Sequence, residues 1–275
     1  MGANGMQARG RETSDSAQSG LLIIGHGTSS NVGRVEFQET VDRVKALMPS
    51  AVVAAGFLEG GAPTIESAWQ EIIACGVKKV IVSPLLLFAA GHANNDIPRV
   101  LGRLAEDSPM VEIRQMPPLG CDPAMVRLSV NRYQSALDAA RVPDTKSSRR
   151  TRLLFVARGT QDPQARNESL EYARLVNASA KPDDYSTCFL ARAKPTFDDE
   201  TAATAASSFE RVVVLPHLLF SGKLLERVRE KVAEQEEGGL RQQWLLADHL
   251  GSDPVVARTI ARRFSEAFAP RRPQR

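Results

Sequence analysis

His26, Glu59 and His92 are the residues of this chain whose types and placement can do chemistry together. Each follows a short apolar run: LLIIG (21–25), VVAAGFL (52–58) and KKVIVSPLLLFAAG (78–91). Two imidazoles and a carboxylate form a borderline donor set, suited to Co²⁺, Fe²⁺, Ni²⁺ or Zn²⁺ and poor for Mg²⁺ or Ca²⁺. Three ligands leave coordination positions open, which fits a reactive or transferring site better than a structural one. Neutral imidazoles hold and exchange an ion near working pH, and a carboxylate can relay a proton.

The surrounding pattern supplies the elements that would position them. LLIIG reads as a strand covered on both faces. Phe37, Val41, Val44 and Leu47 then recur at helical spacing. VVAAGFL is a second strand, and Pro63 opens a helix carrying Ile65, Trp69, Ile72 and Ile73 on one face. Lys79–Ser83 is expected as the third strand, ended by Pro84. His92 is expected on a loop before a helix over 95–106, capped by Asn94, Asn95 or Asp96. Val111–Met116 is a fourth strand, and Asp122-Pro123 opens a helix to about Ala140. The order βαβαβαβα predicts an α/β fold with a parallel sheet and right-handed crossovers. Such sheets bind ligands at the carboxyl ends of their strands, where the three residues would converge.

The second half repeats the first. Adding 132 to a first-half number gives its counterpart, without a gap, over roughly seventy residues. Leu21-Leu22 becomes Leu153-Leu154, Gly27-Thr28 becomes Gly159-Thr160, and Arg34 and Glu36 become Arg166 and Glu168. Pro84 and Leu86–Phe88 become Pro216 and Leu218–Phe220, and Leu-Gly-Cys-Asp-Pro (119–123) recurs as Leu-Gly-Ser-Asp-Pro (250–254). The expected organisation is a disordered leader (1–20), a domain over 21–140, a basic linker (141–152) and a second domain over 153–268. The repeat is an internal control. His26, Glu59 and His92 become Arg158, Ala191 and Leu224, while the glycines, prolines and apolar residues around them persist. The fold therefore does not need the three donors. In exchange, Arg158, Arg192, Lys194 and Lys223 stand where the first copy has His26, Gly60, Ala62 and Gly91. These four cations form a candidate receptor for carboxylates across the cleft.

The net charge of +3 and an aromatic content of 5% give no signature of nucleic-acid binding. Three scattered cysteines argue for a reducing cytoplasm and against a cysteine-ligated iron–sulfur cluster. No apolar stretch approaches the roughly 18 residues of a membrane span, and no phosphate-cradling Walker sequence is present. His217 reads as a satisfied core or edge histidine, and His249 as a surface residue. Arg99 and Arg103 read as solvated charges within reach of the cleft rim.

GHGT (25–28), AGFLEGGAPTI (55–65) and PLLLFAAGHANNDIP (84–98) resemble the three signature stretches of the sirohydrochlorin chelatases, the ATP-independent CbiX/SirB group. The resemblance covers the whole chain, because larger members carry two such domains. Thr28-Ser29 departs from the Ser-Arg that many members have. The resemblance implies that His26 and His92 bind the incoming metal, assisted by Glu59. It implies insertion of Co²⁺ into sirohydrochlorin or precorrin-2 on the route to cobalamin, with Fe²⁺ insertion as the rival and Ni²⁺ a further candidate metal. A non-catalytic metal or tetrapyrrole carrier is the alternative from another class. The expected assembly is a monomer with pseudo-dimeric architecture.

Overall fold

The computed structural model describes residues 19–89, 91, 95–140, 149–238 and 242–268. In the first half, β1 (Ser19–Gly25), α1 (Asn31–Leu47), β2 (Val52–Phe57), α2 (Ile65–Ala74), β3 (Lys79–Leu85), α3 (Ile97–Asp107), β4 (Glu112–Gln115) and α4 (Pro123–Ala139) follow one another. The second half repeats the series as β5 (Thr151–Ala157), α5 (Pro163–Ala180), β6 (Asp184–Phe189), α6 (Phe197–Ala205), β7 (Arg211–His217), α7 (Lys223–Glu237), β8 (Gln243–Leu246) and α8 (Pro254–Phe268). The sheets are parallel, with orders β2-β1-β3-β4 and β6-β5-β7-β8. The predicted α/β architecture, two tandem sheets flanked by helices, is the observed one. Strands β1 and β5 begin at Ser19 and Thr151, inside the segments expected as leader and linker.

Proline does not end the third strand. Pro84 lies within β3, in register with Ile24, and Pro216 lies likewise opposite Val156. Pairing of β3 with β4 stops at Val82, so beyond it β3 is bonded on one side only, where a missing N–H costs little. Asp96 occupies the N-cap position of α3 without a side-chain cap bond, and instead lies 3.4 Å from Arg99. Arg103 lies 3.9 Å from Glu66 on α2.

Side chains alternate along β1. Leu22 and Ile24 face α2 and α3, packing on Ile65, Trp69 and Leu101, whereas Leu21 and Ile23 enter a core shared by both halves. That shared core is built from α1, α4, α5 and α8, with α1 against α8 and α4 against α5 in pseudo-twofold relation.

The recurrent Leu-Gly-x-Asp-Pro has a structural purpose the sequence reading missed. Asp122 caps α4 through the Ala124 amide (3.0 Å) and takes Arg263 of α8 at 3.0 Å; Asp253 bonds the Val255 amide (2.8 Å) and takes Arg132 of α4 at 3.0 Å. Arg263 and Arg132 also reach the Leu119 and Leu250 carbonyls. Each half thus locks the other with the same pair. Burial raises the Asp122 pKa, but the Ala124 amide and Arg263 outweigh it and hold the carboxyl below its ordinary range. Asp122→Ala should lower unfolding stability by about 2–4 kcal/mol, because it removes a cap and strands Arg263 at the interface. Urea melts read this; a loss below about 0.5 kcal/mol would show that the lock carries no weight.

Candidate active-site cleft

The two loops that carry His26 and Glu59 are zipped together. The Leu58 amide donates to the Gly25 carbonyl (2.9 Å), and the Glu59 amide to the His26 carbonyl (3.0 Å). Gly27 makes this approach possible. Its φ is +107°, and a β-carbon there would lie 1.9 Å from the Glu59 carbonyl oxygen. Gly159 repeats the arrangement, with φ of +86° and 1.9 Å to the Ala191 oxygen. The glycine of GHGT is therefore scaffold, retained in both halves for packing.

His26 lies half-buried in the wall of a cavity of about 610 Å³ at the carboxyl ends of the strands, between the two halves. Arg158, Arg192 and Lys223 line the same cavity, as do Leu85–Phe88, Leu218–Phe220 and Gly91. Glu59 is exposed beside His26 but does not line the cavity. Lys194 falls outside the lining too; its carbonyl accepts a bond from Arg166 (3.1 Å). Four cations were expected on the second wall, and three are there. The physical reason is the loop after β6, which turns through Arg192 and carries Lys194 toward α5 and solvent. His92 lies outside the described residues. Among the described residues no group of three or more metal-type donors comes together.

Arg192 adopts φ of +58° where its counterpart Gly60 has +71°. Most side chains avoid that conformation, so the position keeps an arginine in spite of its backbone.

Two residues that recur across the repeat brace this rim. Arg34 donates to the Thr28 carbonyl (3.0 Å) and the Gly60 carbonyl (3.4 Å), tying the β1 loop to the β2 loop. Glu36 reaches across to the second half. It accepts from the Ser221 amide (2.6 Å) and hydroxyl (2.8 Å), and its Oε1 lies 3.0 Å from His249 Nε2. His249 is thus not a surface residue: burial pushes its pKa down despite Glu36 beside it. This cluster fixes the Ser221-Gly222-Lys223 segment at the start of α7. The signal was legible in Arg34/Arg166 and Glu36/Glu168, which the repeat retains, although spacing gave no hint of the partners.

A family model described as CbiX matches residues 20–136 and 152–267. The chain belongs to the CbiX family. Each match spans one four-stranded unit, so both halves are CbiX repeats. A sirohydrochlorin ferrochelatase of Priestia megaterium is 29% identical over 241 residues, covering 88% of this chain and 87% of that protein. A sirohydrochlorin cobaltochelatase of the same organism is 24% identical over 249 residues, covering 90% and 79%. SirB from Bacillus subtilis, solved with Fe³⁺, superposes with a TM-score of 0.80 at 25% identity, covering 92% of this chain and 96% of that one. The CbiX chain is accordingly a sirohydrochlorin-chelatase-type enzyme, a family in which both iron and cobalt names occur. Among the described residues no helix is long and apolar enough to cross a membrane.

Proposed function

We propose that this chain inserts a divalent metal into a sirohydrochlorin-type tetrapyrrole without nucleotide, using the first repeat to hold the metal and the second to hold the macrocycle. The observation that carries this is the asymmetry of one cleft: His26 on one wall, Arg158, Arg192 and Lys223 on the other. Insertion requires the ion to shed water, to sit over the ring, and two pyrrole protons to leave. His26, with His92, supplies exchangeable nitrogen donors. Glu59, at the rim beside His26, accepts or relays a departing proton. The apolar side chains of Leu85–Phe88 and Leu218–Phe220 suit a flat macrocycle, whose carboxylates meet the cations.

Co²⁺ is the metal we assign from the sequence. Fe²⁺ is the second reading, favoured by the higher identity of the ferrochelatase relative. Ligand type does not separate the two, because affinity follows the general divalent series. Anaerobic initial rates with each ion and metal-free sirohydrochlorin, followed by absorption, decide between them; a clear preference for Fe²⁺ sinks the cobalt reading. Because α1 packs on α8 and α4 on α5 within one chain, we assign a monomer, testable by light scattering, and from the scattered cysteines a cytoplasmic location.

Arg158→Ala should raise the KM for the tetrapyrrole about tenfold or more, with the KM for metal unchanged. An unchanged tetrapyrrole KM would reduce the second repeat to scaffold.

A further inference from the structure

The second repeat carries two polar side chains where the first carries large apolar ones, and both line the same cavity. Ser169 stands at the position of Phe37, and His217 at that of Leu85. They are 5% and 2% exposed, and the Ser169 hydroxyl and both His217 ring nitrogens have no hydrogen-bond partner among the described residues. A buried polar atom left unpaired costs about 1–3 kcal/mol, so the hydroxyl and the imidazole N–H mark a place where an acceptor from a ligand or solvent engages them.

Among the described residues nothing satisfies them from within. Tyr172, Phe155 and Phe88 pack around His217 at centroid distances of 4.0, 5.2 and 5.4 Å. The Tyr172 hydroxyl is engaged with the Met125 carbonyl (2.6 Å) and Ser129 (2.9 Å). Burial pushes the His217 pKa down to about 3, so the ring is neutral at working pH and presents one donor and one acceptor. The first repeat shows the closed alternative. There Gly25 pairs with Leu85, and the Phe37 ring fills the space so tightly that a β-carbon on Gly25 would lie 2.7 Å from it. In the second repeat Ala157 pairs with His217 and Phe37 has become serine, which opens that space. Arg158, exposed at the cleft, follows Ala157 directly.

We propose that Ser169 and His217 form a recessed receptor for one carboxylate arm of the macrocycle, with Arg158 beside its mouth. The inference rests on the tetrapyrrole reading above and extends it to two residues in the floor. A carboxylate there accepts from the Ser169 hydroxyl and from the imidazole N–H, a two-donor match that a purely apolar floor lacks. A metal is the poorer occupant, because His217 belongs to no group of three metal-type donors among the described residues.

The test is titration of metal-free sirohydrochlorin into the full chain, read by absorption, for wild type, His217→Leu and Ser169→Ala. Each variant should raise Kd about tenfold. Tm should stay level or rise, because an unpaired buried group is removed. The fully methyl-esterified macrocycle, whose neutral ester carbonyls accept more weakly than a carboxylate, should show a clearly smaller difference between wild type and variants. Unchanged Kd values for the free acid, or the same loss with the ester, would overturn the receptor. If His217→Leu fails to fold, Ser169→Ala decides alone. The two readings fail separately: wild type that metallates the macrocycle while both variants bind it normally refutes only the receptor. Wild type that neither binds nor metallates it refutes the function, and the receptor with it.

Discussion

Replacing His26 by alanine should lower metal insertion by about 10²-fold or more while the protein stays folded. The second repeat argues for the intact fold. Arg158 occupies the same position, and its carbonyl accepts the Ala191 amide at 3.0 Å, just as the His26 carbonyl accepts the Glu59 amide at 3.0 Å. The loop is therefore held by its backbone and by its glycine in both repeats. His92→Ala should produce a similar loss, on the sequence argument that it too is exchanged in the second copy. Circular dichroism checks the fold and stopped-flow absorption the rate. If both single variants turn over at near-native speed, the metal-site assignment is wrong.

Glu59→Gln should depress kcat by about 10²-fold while shifting stability by less than about 0.5 kcal/mol. Its backbone contact to His26 survives the change, and Ala191 shows that this loop closes without a carboxylate. The side chain is exposed at the rim, placed to pass a proton to solvent. An unaltered kcat would remove Glu59 from proton transfer and leave it as a rim residue.

The alternation of strands and helices, and the repetition of the whole unit, were legible because they are written in periodicity and register. Leu21–Ile24 is apolar throughout because both faces of β1 are covered, which a short sequence window reveals. The strand–loop placement of His26 was legible for the same reason. Contacts between the repeats were not. Glu36 and His249 lie 213 residues apart and meet only because α1 packs on the second half. His249 therefore looks solitary in sequence and is in fact a part-buried member of a cluster. The sequence reads His217 as a satisfied core or edge histidine; it is in the core, but its nitrogens have no hydrogen-bond partner among the described residues, which only three dimensions can show. Pro84 misled because proline is judged against a strand bonded on both sides, whereas β3 has lost one neighbour by that point. Lys194 lies outside the cavity lining that holds Arg192, because two residues further along, the loop has reached Arg166 of α5, a placement that numbering by repeat does not carry.

The most direct test of the account is the rate of metallation of sirohydrochlorin by the purified chain with Co²⁺ or Fe²⁺ and no nucleotide, against the same mixture without protein. The account predicts an acceleration of about 10²-fold or more, lost in His26→Ala. Tight binding of metal and macrocycle with no acceleration over the spontaneous reaction would contradict it and identify the protein as a carrier.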